Sequence, residues 1–198
     1  MPFPLPHRLI FMRHGETDWN REGRLQGQRD VPLNARGRDQ ARGVGADLRQ
    51  LVGDGRQVDF IASPLERTRE TMELARHSAG FLPADTYAMD DRLKEISFGD
   101  WEGTTWDELA ARDPARVRER KRDKWGYVPP GGESYAMLAE RVRPWLESLS
   151  GDTVTVAHGG VARALMVLLA DTEPVQAMRE LIHQGRILLF EGGAFRWV

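Results

Sequence analysis

Cysteine is missing from all 198 residues, so the chain has no disulfide staple, no thiolate zinc site and no cysteine nucleophile. Long apolar runs are missing too: the longest, Ala164 to Ala170, falls far short of the roughly 20 residues that cross a bilayer. The N-terminus carries no secretory apolar segment. Nor is there an excess of one charge. The 28 Lys and Arg against 30 Asp and Glu leave a net charge of −2, which argues against a nucleic-acid or anionic-membrane partner. Lysine is scarce, present only as Lys94, Lys121 and Lys124, so almost all cationic chemistry must be guanidinium chemistry. His14 and His158 have no histidine at i+2 or i+4 and no acidic cluster beside them, so neither metal nor cofactor is expected. The expectation is a cytoplasmic, metal-indifferent protein of one domain, residues 1–198, long enough to bury a core.

Apolar periodicity then places the elements. Pro2 to Pro6 cannot pair as a central strand, because alternate residues lack an N–H, and reads as an extended arm. A first strand covers 8–12. Asn34 caps a helix whose positions Ala41, Val44, Leu48 and Leu51 recur at helical spacing. A second strand at 58–62 runs into Ser63-Pro64-Leu65-Glu66, which has the form of a capping box with proline at the first helical position. A third strand is expected at Thr86 to Met89, and Thr104 and Asp113-Pro114 open two short helices. Tyr135 to Leu149 carries an apolar face, although Pro144 should kink the helix or displace its start. A fourth strand, 153–157, leads to an apolar helix expected to be buried all round, and 186–190 with 194–198 form a hairpin across Gly192-Gly193. The fold class is α/β: a single-domain, mostly parallel sheet flanked by helices, with a small helical, cap-like insertion at about 97–135 and a C-terminal hairpin.

Strand exits deliver the chemistry. Arg13 and His14 follow the first strand, Arg67 stands in the first helical turn after the second, and His158 follows the fourth; Glu95 is expected to leave the third. In open α/β sheets such ends share one crevice. Two guanidinium forks, two imidazoles and a carboxyl are what phosphoryl transfer calls for: Arg binds phosphoryl oxygens bidentately, and a neutral imidazole attacks phosphorus. His14 is the nucleophile in this reading, with Gly15 letting the backbone approach the phosphate. His158 stabilises the same oxygens, aided by backbone N–H groups at Gly159 and the helix start. Glu95 protonates the leaving oxygen and then takes a proton from water. Taken singly, each of these residues reads as an ordinary core or surface side chain; their joint arrangement reverses that reading. The arginines and lysines of 112–124 read as a solvated helix face, and Trp101, Trp106 and Tyr127 as packing. Trp125 falls in the region expected to face the site, while His7, His77 and His183 receive no role.

In Met12-Arg13-His14-Gly15-Glu16-Thr17, Trp19-Asn20, Gly23 to Gly27, Asp30 to Asn34, Ser63 to Thr68, Leu93 to Ile96, Trp101-Glu102-Gly103 and Ala157 to Gly160, the chain resembles the histidine phosphatase superfamily, also called the phosphoglycerate mutase-like group. Each piece is weak; the ordered set is specific. The resemblance implies a phosphohistidine on His14, a phosphate pocket completed by Arg13, Arg67 and His158, and a proton donor at Glu95. It also assigns Asn20, Gln26 and Gly27 to phosphate or substrate contact. The stretch from Glu95 to His158 is short beside that of glycolytic mutases, and the loop reads Leu25-Gln26-Gly27 where those have Phe-Thr-Gly. The expected function is therefore hydrolysis of a small phosphorylated metabolite; the alternative is a cofactor-dependent phosphoglycerate mutase. A catalytically silent domain would lack one of the five chemical residues, and none is missing.

Overall fold

The computed structural model describes residues 3–198. In chain order its elements are β1 (Leu9–Arg13), α1 (Asp18–Arg21), α2 (Ala35–Gly43), α3 (Gly45–Val52), β2 (Asp59–Ala62), α4 (Glu66–Ser78), β3 (Ala88–Met89), α5 (Trp106–Arg112), α6 (Pro114–Arg122), α7 (Tyr135–Glu147), β4 (Thr153–Ala157), α8 (Gly159–Leu169), α9 (Pro174–Ala177), β5 (Ile187–Glu191) and β6 (Ala194–Trp197). One six-stranded sheet has the order β3-β2-β4-β1-β5-β6. Four neighbours, β3, β2, β4 and β1, run parallel, and the antiparallel β5–β6 hairpin closes one side. This is the expected mostly parallel α/β domain.

Alternation along the strands explains why helices cover both faces. In β1, Leu9 and Phe11 pack on the face held by α7 and α8, while Ile10 and Met12 pack on the face held by α2, α3 and α4. The four residues are 0–1 % exposed, as a parallel strand buried on both sides requires. Several local expectations change. The helix after Asn34 breaks at Val44 into α2 and α3: Gly43 and Gly45 flank the break, and a Cβ on Gly45 would meet Ser78 and Ala79 at the end of α4. The third strand shrinks to two residues, leaving Glu95 in an irregular segment beyond a short 3₁₀ turn at Asp91–Leu93 rather than at a strand end. Thr105, not Thr104, caps α5, through a reciprocal box with Glu108. Pro144 lies inside α7 near its C-terminus, and Ser134 still caps the start at Tyr135.

The N-terminal arm belongs to no helix or strand from Phe3 to Arg8; rather than running extended it turns at Pro4, where the Leu5 N–H bonds to the Phe3 carbonyl at 3.0 Å, and it is anchored by a Phe3 N–H bond to the Leu168 carbonyl, 2.6 Å; Pro2 lies outside the described residues. Between Glu95 and α7, the stretch 97–135 holds a 3₁₀ turn and the helices α5 and α6, whose Trp101, Leu109 and Val117 join the α7–α8 side of the core. Most of the 112–124 cations are exposed as expected, but Arg120 stacks on Trp106 at 4.3 Å. Among the described residues no helix is long and apolar enough to cross a membrane.

Candidate active site

The parallel register aligns the carboxyl ends of β1, β4 and β2, with Arg13 opposite Ala157 and Ala62 opposite Val156. The ladder continues one residue further: His14 N–H donates to the Ala157 carbonyl and Ser63 N–H to the Val156 carbonyl, both at 3.0 Å. His14, Ser63 and His158 therefore emerge side by side where the connection from β1 to β2 passes over β4, the switch point at which α/β sheets open a crevice. The rings of His14 and His158 lie 5.2 Å apart. A cleft of about 210 Å³ at this point is lined by Arg13, His14, Asn20, Gln26, Gly27, Arg67, Glu95 and Gly159, and further by Arg24, Phe98, Tyr135 and Arg163.

Each ring has a defined partner. Nδ1 of His14 donates to the Gly15 carbonyl at 2.7 Å, which leaves the lone pair on Nε2. His158 caps the start of α8, and its Nε2 meets Ser63 Oγ at 2.8 Å. Ser63 is thus not the cap of α4: it extends the β2 ladder, its hydroxyl faces His158, and α4 begins only at Glu66, whose N–H finds Asp30 Oδ1 at 2.8 Å. Burial, and then Arg67 and Arg13, hold His14 well below the ordinary histidine value, and the same burial and arginines act on His158. Both rings are therefore neutral at neutral pH.

The arginines are fixed by carbonyls. Arg13 donates to Ile182 O at 2.9 Å, and Arg67 to Arg29 O at 2.6 Å and Gly27 O at 2.8 Å. Burial lowers Arg67 to about 10, which keeps it charged at neutral pH. Nε of both arginines and Nδ1 of His158 are buried without a hydrogen-bond partner among the described residues. Loop residues complete the wall: Asn20 accepts from Gln184 Nε2 at 2.9 Å and Gln26 from Thr17 Oγ1 at 2.9 Å. Gly27 has a φ of 53°, and a Cβ there would run into the Glu102 carboxylate.

The expectation about the helix start needs correction, and Gly15 has a close contact of its own. A Cβ on Gly15 would strike the Gly37 backbone, so the close approach at Gly15 is that of α2 to the strand exit. The Gly160 N–H at the start of α8 is taken by the Glu95 carboxylate, at 3.0 and 3.2 Å, because the positive end of a helix attracts the nearest anion. Trp125 does not line the cleft; it stacks on Tyr135 and borders a groove with Pro174, Val175 and Met178 of the α9 region. Sequence reasoning missed Ser63 as the partner of His158, Thr71, whose Oγ1 accepts the Gly15 N–H at 3.1 Å, and the outer wall formed by Arg24, Tyr135 and Arg163. Arg24 and Ser63 lie within segments of the family pattern, and Arg163 is a lone charge in an apolar helix, so these three carried a visible signal. Among the described residues no three His, Asp or Glu side chains gather as a metal-binding group.

A family model described as histidine phosphatase superfamily (branch 1) matches residues 9–198. A glucosyl-3-phosphoglycerate phosphatase of Mycobacterium tuberculosis is 33 % identical over 176 residues, 82 % of this chain and 74 % of the relative. A 2,3-bisphosphoglycerate-dependent phosphoglycerate mutase of Azorhizobium caulinodans is 31 % identical over 194 residues, 94 % and 92 % of the two chains. Among solved structures, a mycobacterial glucosyl-3-phosphoglycerate phosphatase complexed with VO3 superposes with a TM-score of 0.78 at 29 % identity, covering 97 % of this chain and 96 % of the other.

Proposed function

The chain belongs to the histidine phosphatase superfamily, and from that membership and the cleft's geometry we propose that it hydrolyses small phosphomonoesters through a phosphohistidine on His14. The observation that carries the reading is that Arg13 Nε, Arg67 Nε and His158 Nδ1 are buried without a hydrogen-bond partner among the described residues, while the neighbouring neutral imidazole of His14 has its Nε2 free. Buried polar groups are ordinarily paired, and the oxygens of a phosphoryl group supply acceptors on three sides.

In this reading Nε2 of His14 attacks phosphorus and the bond from phosphorus to the leaving oxygen breaks. Glu95 gives that oxygen a proton. Arg13, Arg67 and His158 stabilise charge on the three equatorial oxygens throughout. Glu95 then takes a proton from water, the water oxygen attacks phosphorus, the phosphorus–nitrogen bond breaks, and inorganic phosphate leaves with His14 neutral again. Asn20, Gln26, Gly27 and Gly159 border the phosphate, and Arg24, Phe98, Tyr135 and Arg163 meet the rest of the substrate. The stretch 97–135 acts as a short cap over the cleft. A polar, cationic wall of this kind suits hydrophilic phosphorylated metabolites, in line with the sugar phosphate acid in the name of the mycobacterial relative.

The similarity to a phosphoglycerate mutase over 94 % of the chain favours one second reading, return of the phosphoryl group to another hydroxyl. Labelled substrate and a denaturing quench test the first step: label should be base-stable and acid-labile on His14, and absent from His14→Ala. Label on a hydroxyl residue would end the phosphohistidine reading. With 3-phosphoglycerate and 2,3-bisphosphoglycerate supplied, released phosphate should exceed 2-phosphoglycerate by at least about tenfold, or about 1.4 kcal/mol between barriers. Faster interconversion of the phosphoglycerates would make the chain a mutase.

A further inference from the structure

Glu95 leaves no strand end, so something other than the sheet must hold it. Its carboxylate rests on the Gly160 N–H and on its own Ile96 N–H at 2.9 Å. Its main-chain carbonyl accepts from Gln28 Nε2 at 3.0 Å and from Arg141 Nη2 at 3.3 Å. Arg141 comes from α7, and all five of its N–H donors are used. Nη1 reaches the carbonyls of Arg92 at 2.8 Å and Lys94 at 3.0 Å; Nη2 reaches Glu95 and Glu133 Oε2 at 2.9 Å; Nε reaches Glu133 Oε1 at 3.0 Å. Glu133 Oε2 also accepts the Ser97 N–H at 3.0 Å. One ion pair therefore grips the main chain at Arg92, Lys94, Glu95 and Ser97. Residues 95–98 belong to no helix or strand, so without these bonds their polar groups would lack the partners that regular structure supplies.

We propose that Arg141, anchored by Glu133, is a positioning residue for the reaction: it sets the backbone of Glu95 so that the carboxyl meets the start of α8 beside His158 and the phosphate donors. The inference rests on Glu95 being the general acid. A planar fork with five donors is required, because lysine offers three donors on a flexible stem and cannot span carbonyls and carboxylate together. Misplacement by about 1 Å is enough to cost about 10²-fold in rate.

The test reads phosphoenzyme formation after a rapid quench in the wild type, Arg141→Lys, Glu95→Gln and the double variant. Each is given an alkyl phosphate, whose leaving oxygen needs a proton, and p-nitrophenyl phosphate, whose leaving group scarcely does. Arg141→Lys should slow the alkyl phosphate at least about tenfold and p-nitrophenyl phosphate less than about threefold. In the Glu95→Gln background the same change should cost less than about twofold, because residues acting through one another are not additive. Equal losses on both substrates, or full additivity, would make Arg141 a purely structural residue and overturn the inference. Should Arg141→Lys fail to fold, Glu133→Gln loosens the same anchor and takes its place under the same criteria. Absence of wild-type phosphoenzyme from either substrate is a separate result: it overturns the His14 reading, and this inference with it.

Discussion

His14 and His158 are 2 % and 0 % exposed, and burial, with Arg67 and Arg13 behind it, holds both well below the ordinary histidine value of 6.5. As pH falls through 6.5 the unfolded chain takes a proton on each ring and the folded chain does not. The unfolded state then binds more protons, so stability rises with pH in this window and is lost on acidification. From pH 7 to pH 5 this linkage can remove at most about 2 kcal/mol for a histidine that stays unprotonated in the folded state, so at most about 4 kcal/mol for the pair. That is a large share of the roughly 5–15 kcal/mol that holds a domain together. Asp90 and Asp152, lowered from 3.8, lose their contribution only in more acidic solution, so the window isolates the histidines. At a urea slope of about 2–3 kcal/mol per molar, the unfolding midpoint should fall on acidification, by up to about 1.5 M. Tryptophan fluorescence can follow it, and His14→Gln/His158→Gln should flatten the dependence. A wild-type midpoint unchanged between pH 7 and pH 5, or a double variant keeping the full slope, would refute the reasoning.

Two further outcomes follow from contacts outside the histidines. Gly15→Ala should lower thermal stability by at least about 1–3 kcal/mol, as overpacking against backbone does, because its Cβ meets Gly37 main-chain atoms that cannot swing aside; a calorimetric midpoint equal to wild type would show that α2 can retreat. Exhaustive EDTA treatment should leave turnover unchanged, since in the proposed reaction Arg13, Arg67 and the His158 ring would supply the electrostatic stabilisation that a metal supplies elsewhere, and activity that vanished and returned with a divalent ion would displace this account.

The parts of the site carried by strands were legible because burial on both faces writes itself as an apolar run, and each run here ends in the residue that matters. His14 and His158 follow 9–13 and 153–157 directly, and Asn34 and Asp113 cap helices from the positions their side chains dictate. Ser63 was misread because a capping box is a local pattern, while the competing partner, His158, is 95 residues away. The break at Val44 depends on how closely Gly45 approaches α4, which a periodicity cannot contain. Arg141 left one trace: it falls on the same helical face as Leu138 and Trp145, both buried, and a charge within an apolar stripe asks for a partner. The identity of that partner, the main chain around Glu95, has no local signature.

The division of the cleft between sheet and loops follows from what stays constant in the proposed reaction. The phosphoryl oxygens are the same in every phosphomonoester, and their partners stand on the most rigid supports: His14 and His158 extend a paired ladder, and Arg67 is held by two carbonyls. The leaving group differs from one substrate to the next. In the proposed reaction it would meet Glu95, Phe98 and Tyr135, which line the cleft and come from a segment and a helix start fastened by side chains rather than by strand pairing. Hydrolysis and transfer to a second hydroxyl share the attack by His14 and diverge only in what reaches phosphohistidine next, a contest that each 1.4 kcal/mol decides by about tenfold. In the proposed reaction that contest would turn on how far the wall of Arg24, Phe98, Tyr135 and Arg163 holds a departing alcohol or lets water in. The strand ends can stay the same for both.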